Sequence, residues 1–185
     1  DVNIVDPASG YPLLEMQVDS MGKFLLALPY FDSLGLKIMS KDHDYITSIL
    51  PIDSVKAMAG KTFNFELTPI EKVFTKIFNQ VYFESSSAKL QSISRVELDA
   101  LATYLTNTKH ATILIEGHTD NTGNPAQNMI LSTKRAEAIK VWLLNHQIDA
   151  SRITTIGYGD KQPIVSNNTE AGRVMNRRTS FRIIF

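Results

Sequence analysis

Hydrophobic and polar residues alternate along the first third of the chain, in short runs separated by turn residues. Val2–Val5 and Leu14–Val18 alternate in this way. Between them, Asp6–Gly10 is rich in Asp, Pro, Ser and Gly, which favour turns. Three further runs follow, namely Lys23–Leu28 (stopped by Pro29), Leu34–Met39 and Thr62–Leu67. Short strands at such regular spacing predict an all-β sandwich over residues 1–70.

The period of the pattern changes in the second half, after a short strand predicted over Val81–Phe83. One face of a predicted helix over Ser94–Asn107, with Ser92 or Ser94 as its cap, carries Leu98, Leu101, Ala102 and Leu105. Ala111–Gly117 is a nearly continuous apolar run, typical of a strand covered on both faces. A second helix is predicted over Asn128–His146.

Two more strands are predicted over Ile153–Tyr158 and Thr179–Phe185. Strands that alternate with helices indicate a mixed sheet with helices packed on it. The sequence therefore predicts two domains, a β-sandwich over 1–70 and an α/β domain over 81–185, joined by a linker over 71–80.

Composition narrows the classes of function. The 185 residues carry 19 basic and 19 acidic side chains, and a net charge of zero argues against a general nucleic-acid binder. Residues 1–70 hold nine acids and five bases, which leaves ten acids and fourteen bases for residues 71–185. The second half is therefore the better candidate for binding an anion.

Several features are missing from the sequence. It has no cysteine, which excludes disulfides and cysteine-ligated zinc. It has no apolar run long enough to span a membrane and no recognisable signal peptide. Because the chain opens directly on a predicted strand, we expect it to be a piece of a longer protein.

Candidate ligand-binding residues lie in the loop His118–Gly123, between the strand Ala111–Gly117 and the helix that follows. Ligand sites on α/β layers tend to lie at such strand ends. Asp120 supplies a negative charge in this loop, and Arg135 supplies a planar cation on the helix. Long side chains on helices lean towards the N-terminus, so Arg135 can reach back to the loop. A ligand with an ammonium and a carboxylate on one carbon would satisfy both residues.

Three alternatives compete with that interpretation. Asp120 and Arg135 could form an ion pair that ties the loop to the helix. His118 could bind a metal with Asp120 and Glu116, although the four histidines show no metal-site spacing. Ser132 could be a nucleophile, but no histidine stands in a recognisable motif with it. We therefore predict no metal, no cofactor and no catalytic residue.

Four motifs occur in order at Gly117–Gly123, Asn128–Ala136, Gly157–Pro163 and Asn168–Arg178. This string resembles the OmpA-like C-terminal domain, which is also found in peptidoglycan-associated lipoprotein and in flagellar stator proteins. The resemblance implies a sheet with helices on one side. It also implies non-covalent binding of peptidoglycan through the meso-diaminopimelate of the stem peptide.

The resemblance assigns residues to that ligand. The family's acid falls on Asp120 and its arginine on Arg135, with the separation of fifteen residues kept. The other residues expected at the ligand are Phe83, Glu84, Asn121, Thr122, Asn128, Leu131 and Arg178. Glu84 departs from the family, which usually has Asp there, so the reach of this acid differs. Arg178 could instead form an ion pair with the edge of the sheet.

The first third has a resemblance of its own. It is similar to carboxypeptidase-regulatory-like domains, small transthyretin-like sandwiches, at Asp6, Gly10, Asp19, Gly22, Phe24, Leu28 and Pro29. The family's first strand is largely missing. The two domains in this order resemble envelope proteins of the Bacteroidetes, such as the PorE-type component of the type IX secretion system.

These resemblances imply a periplasmic protein, associated with the outer membrane, that tethers a larger assembly to the cell wall. Its expected partners are peptidoglycan and proteins of an envelope or secretion complex. One alternative is a protein-interaction module with a vestigial pocket. The other is a peptidoglycan-processing enzyme, against which we find no paired carboxylates and no zinc ligands.

Overall fold

The structure, a computed structural model, describes residues 1–24, 33–40, 45–51, 64–67, 73–78 and 81–185. Strands in these ranges form two four-stranded sheets. The strands are β1 (Val2–Val5), β2 (Pro12–Met16), β3 (Ser33–Met39), β4 (Tyr45–Pro51), β5 (Val73–Ile77), β6 (Thr112–His118), β7 (Ile153–Gly159) and β8 (Thr179–Ile184). The helices are α1 (Arg95–Asn107), α2 (Pro125–Asn145) and α3 (Glu170–Asn176).

The first sheet is antiparallel, in the order β2-β1-β3-β4. Its apolar residues form a core of their own that includes Ile4 and Leu36. The predicted strands β1 and β3 are confirmed, and β2 begins two residues before the predicted start at Leu14. The sequence did not predict β4.

The predicted all-β sandwich is supported only as this single antiparallel sheet. Lys23 and Phe24 are not in a strand, and the rest of the run to Leu28, with Pro29, lies outside the described residues. Of the run Thr62–Leu67, residues 64–67 are described and form no strand. A second sheet over 1–70 and the division into two domains stay predictions.

The second sheet confirms the predicted mixed sheet with helices packed on it. Its order is β5-β8-β6-β7, in which only β6 and β7 run parallel. Two predictions were wrong. Val81–Phe83 is no strand, since Phe83 makes only an isolated bridge to Leu90. The first strand is instead β5, within the predicted linker, because its backbone pairs with β8.

Helix α1 packs against both sheets. The predicted face is confirmed, because Leu98, Leu101 and Leu105 are completely buried. On the side of the first sheet, a Cβ atom added to Gly35 would lie 2.9 Å from Val96, so the strand and the helix are in close contact. Ser94 occupies the cap position, but its hydroxyl bonds to the backbone of residue 82 instead of capping the helix.

Helix α2 begins three residues before the predicted start, because the side chain of Asn124 caps it and Pro125 occupies its first turn. Two glycines let it lie directly on β6 and β7. A Cβ atom at Gly117 would come within 2.1 Å of the Ser132 carbonyl, and one at Gly157 within 2.2 Å of Thr133. This contact fixes the start of α2 beside the loop that follows β6.

No helix in the described part of the chain is both long and apolar enough to cross a lipid bilayer.

Replacing Gly117 by Ala should destabilise the protein by at least ~2 kcal/mol, because the added methyl group meets backbone that cannot move without shifting α2. Denaturant unfolding measures the loss. Gly123→Asn is the control, since Gly123 has open space around it and Asn tolerates its positive φ. Equal stability of Gly117→Ala and wild type would show that α2 does not pack on β6 as described.

Candidate ligand-binding site

The loop that follows β6 holds Asp120 in a fixed position. The amide N–H of Thr122 donates to Oδ1 of Asp120 at 2.8 Å. From α2, Nδ2 of Asn128 donates to the carbonyls of Asp120 and Thr122 at 3.3 and 3.0 Å. Asn128 therefore acts on the loop backbone, and Asp120 is buried beneath it with 6% of its surface exposed.

The charge partner of Asp120 is Arg177, a residue that was not predicted at the site. Nη1 of Arg177 donates to Oδ2 of Asp120 at 2.6 Å. Burial alone would raise the pKa of Asp120, but hydrogen bonds from Arg177 and Thr122 outweigh it and hold this pKa below its usual value. Asp120 is therefore ionised at neutral pH, and the alternative of an Asp120–Arg135 ion pair is not what the structure shows.

Arg135 lies on α2 with its guanidinium over the ring of Phe83, 5.1 Å from the ring centre. Its Nε donates to the carbonyl of Ser87 at 3.0 Å. Neither Nη atom of Arg135 makes a hydrogen bond or ion pair with any residue in the described ranges. Burial and the nearby charge of Arg177 both lower the pKa of Arg135, so these two cations are neighbours.

These arginines line a cleft between α2, the start of β8 and the segment before α1. The residues that line it are Phe78, Val81, Tyr82, Phe83, Arg135, Arg177, Arg178 and Thr179. Arg178 donates through Nη2 to the carbonyl of Gln162 at 3.2 Å. Its Nη1 is buried and has no partner among the described residues. Three arginines thus line one cleft, and Asp120 is held against one of them, Arg177.

Six of the nine predicted residues do not line the cleft, and Asp120 and Asn128, described above, are two of them. Glu84 is exposed, and its carboxylate pairs with Lys89 at 2.7 Å, so the structure shows it engaged outside the cleft. Asn121 and Thr122 are exposed in the loop, and Leu131 is half-buried on α2. Predicted residues that the cleft does bring together are Phe83, Arg135 and Arg178.

A second acid, Glu170, pairs with Arg177 at the rim of the cleft. Glu170, at the start of α3, accepts a hydrogen bond from Nη2 of Arg177 at 2.9 Å and pairs with Arg173 at 2.8 Å. Hydrogen bonds to Asp120 and Glu170 raise the pKa of Arg177. Glu170 and Arg177 fall within the predicted motif Asn168–Arg178. This motif ends in two arginines, of which only Arg178 was predicted to contact the ligand.

The metal alternative at His118 finds no support in the described residues, where no group of three or more His, Asp or Glu side chains could hold an ion. Glu116 pairs with Arg182 at 2.8 Å. His118 is buried, stacks on Tyr158 and has its Nε2 3.4 Å from the hydroxyl of Ser180. Burial and the charge of Arg178 lower the pKa of His118 to about 4.

His118 should make the fold sensitive to mild acid. Its pKa is about 4 when folded against 6.5 as the ordinary value, so its neutral form is favoured by folding. The stability that this provides is complete above pH 6.5 and is lost as pH falls towards 4, by roughly 3 kcal/mol in total. His118→Phe should therefore lose less stability than wild type between pH 7 and pH 4.5, measured by denaturant unfolding.

His118→Gln, which is also uncharged, separates the loss of titration from the change in ring stacking. Both variants should show a flatter dependence of stability on pH. A dependence as steep as that of wild type in both would contradict the assignment to His118.

Comparison with known proteins relates this site to a family. The profile of the OmpA family matches residues 82–177. Outer membrane protein Omp38 of Acinetobacter baumannii is 39% identical over 116 residues, 60% of this chain and 33% of that protein. Peptidoglycan-associated lipoprotein of Haemophilus influenzae is 38% identical over 101 residues, 55% of this chain and 66% of that protein. This chain thus spans a third to two thirds of these relatives.

Solved structures agree with the fold. The peptidoglycan-associated lipoprotein of Burkholderia pseudomallei superposes with a TM-score of 0.53 at 30% identity, over 56% of this chain and 88% of that chain. The cell wall anchor of the type VI secretion system of Pseudomonas aeruginosa gives a TM-score of 0.53 at 28% identity, over 60% and 80% of the two chains.

Proposed function

This chain belongs to the OmpA family, and from that membership and the arginine-lined cleft we propose that it binds peptidoglycan without cleaving it. The proposed ligand group is the free end of meso-diaminopimelate in the stem peptide, which carries an ammonium and a carboxylate on one carbon. The observation that carries this proposal is the convergence of Arg135, Arg177 and Arg178 on one cleft beside the buried carboxylate of Asp120.

The carboxylate of the ligand would pair with Arg135. The free Nη atoms of this residue offer a planar fork that matches a carboxylate. Phe83 beneath the guanidinium and the Ser87 carbonyl at its Nε hold the group in place, so little rotamer freedom is lost on binding. Arg177 and Arg178 line the same cleft and add to its positive charge.

The ammonium of the ligand would pair with Asp120. This carboxylate is ionised and held in a defined orientation by the amide of Thr122. Asn128 fixes the loop backbone around it, and Asn121, Thr122 and Leu131 lie in the adjacent loop and helix, where they can contact the rest of the stem peptide. Glu84 sits outside this set, because Lys89 neutralises it.

Binding of this kind would anchor a larger envelope assembly to the cell wall in the periplasm. Two relatives are named as peptidoglycan-associated lipoproteins, and a solved structure with the same fold is described as a cell wall anchor. The finer assignment to the PorE-type component of the type IX secretion system rests on the sequence resemblance alone. So does the proposal that the sheet over residues 1–51 contacts other proteins of that assembly.

Arg135→Ala should weaken binding to purified peptidoglycan sacculi by ~30-fold, because truncating one partner of a buried charge contact costs about 2 kcal/mol or more. Co-sedimentation of the protein with sacculi over a range of concentrations measures the change. Lys134→Ala is the matched control, since Lys134 is exposed on the same helix. It should sediment like wild type.

Two other outcomes decide between the remaining functions. Equal sedimentation of Arg135→Ala and wild type, with the fold of both intact, would place any wall contact elsewhere and favour a protein-interaction module. Release of soluble muropeptides by the wild-type protein would contradict binding without cleavage.

A further inference from the structure

Arg177 bridges two carboxylates of different character. Its Nη1 lies 2.6 Å from Oδ2 of Asp120 and its Nη2 lies 2.9 Å from Oε1 of Glu170. The side chain of Asp120 is only 8% exposed, whereas that of Glu170 is 64% exposed. One guanidinium therefore connects a buried acid, on the loop after β6, with an acid at the surface of α3.

Asp120 has little room for a second cation while this pair is formed. Its Oδ1 accepts the amide of Thr122, and its Oδ2 accepts Arg177. Because both oxygens are engaged and the side chain is almost fully buried, an incoming ammonium has to compete with the guanidinium of Arg177 for this carboxylate. The free protein thus presents its ammonium-binding group already neutralised.

Arg177 has a second partner that can retain it. Glu170 is set at the first residue of α3, where Arg173 also pairs with it, and the side chain of Thr169 caps this helix. The end of the helix is fixed as well, since Asn176 bonds through its side chain to the backbone of residues 164 and 165. The rim that carries Glu170 is therefore held in place independently of Asp120.

Arg135 is the other neighbour of Arg177, and two guanidinium groups at one cleft repel each other. A carboxylate placed between them would relieve that repulsion and pair with both. A ligand that brings only an ammonium would have to separate Arg177 from Asp120, and would leave Arg177 with Glu170 alone and Arg135 without an anion. The energetic balance of the cleft thus favours a zwitterion over a simple cation.

Resting on the proposed function, we infer that Arg177 determines specificity by exchanging ion pairs. In the free protein Arg177 is paired with Asp120. This pair breaks only for a ligand that supplies both an ammonium for Asp120 and a carboxylate for the two arginines, Arg135 and Arg177. During the exchange, the guanidinium of Arg177 stays paired with Glu170. The ligand class selected is a stem peptide that ends in a free α-amino-acid centre, as in diaminopimelate, in preference to one that ends in a lysine ammonium.

Two tripeptides that differ only at this end test the inference. They are L-Ala-γ-D-Glu-meso-diaminopimelate and L-Ala-γ-D-Glu-L-Lys, and isothermal titration calorimetry gives the affinity of the protein for each. Wild type should prefer the diaminopimelate peptide. Arg177→Gln should bind the diaminopimelate peptide at least ~10-fold more weakly, because a carboxylate contact is lost. It should bind the lysine peptide more tightly than wild type does, because Asp120 is no longer occupied.

Three further variants complete the test. Lys134→Gln is the control, since Lys134 is exposed on α2 and does not line the cleft, and both affinities should stay at the wild-type values. Arg177→Lys keeps a cation near Asp120, so its affinity for the lysine peptide should stay low. Glu170→Gln removes the retaining partner and should weaken binding of the diaminopimelate peptide without improving binding of the lysine peptide. Thermal unfolding verifies that each variant is folded.

Opposite changes for the two peptides in Arg177→Gln support the exchange, because a merely structural role would move both affinities in the same direction. Parallel loss of both, or no change in either, would overturn it while leaving the proposed function intact. Wild-type protein that binds neither tripeptide would overturn the proposed function, and the exchange with it.

Discussion

The charge of the cleft depends on the ion pair between Asp120 and Arg177, one of the arginines that line it. This ion pair joins the loop after β6 to the end of α3, two segments separated by 57 positions in the sequence. The hydrogen bond from Arg177 offsets the cost of burying this carboxylate and keeps Asp120 ionised, and Arg135 remains at the cleft as a cation with which no acid among the described residues pairs. We therefore propose that the cleft favours an anion, and that it accepts a cation only together with an anion.

This chemistry depends on close packing beneath it. Gly117 and Gly157 have no Cβ atom, so α2 rests directly on β6 and β7 and brings Arg135 to the loop that holds Asp120. Helix α1 packs against both sheets, and Tyr45 of β4 stacks on Phe181 of β8. The first sheet thus contributes to the core that supports the site.

Long elements with one clear period could be predicted from sequence, and so could the places of Asp120 in the loop after β6 and of Arg135 on the helix that follows. The roles of these two residues at a ligand stay predictions. The buried face of α1 and the strand β6 follow from apolar residues at regular spacing. Strand β5 could not be predicted, because it is short and is stabilised by pairing with β8, about a hundred positions later. The sequence does not show whether Arg177 or Arg178 contacts Asp120, because that depends on where α3 ends and β8 begins. Nor does it show that Glu84 pairs with Lys89, because the local sequence does not specify the conformation of the loop between them.

A crystal structure of this chain with L-Ala-γ-D-Glu-meso-diaminopimelate bound is the most direct test of a zwitterion site between Arg135 and Asp120. We predict that the free carboxylate of the peptide lies within hydrogen-bond distance of both Nη atoms of Arg135. Its ammonium should lie against Asp120, with Arg177 turned towards Glu170. A peptide bound away from this cleft, or bound with its ammonium in solvent and the Asp120–Arg177 pair unchanged, would contradict the account.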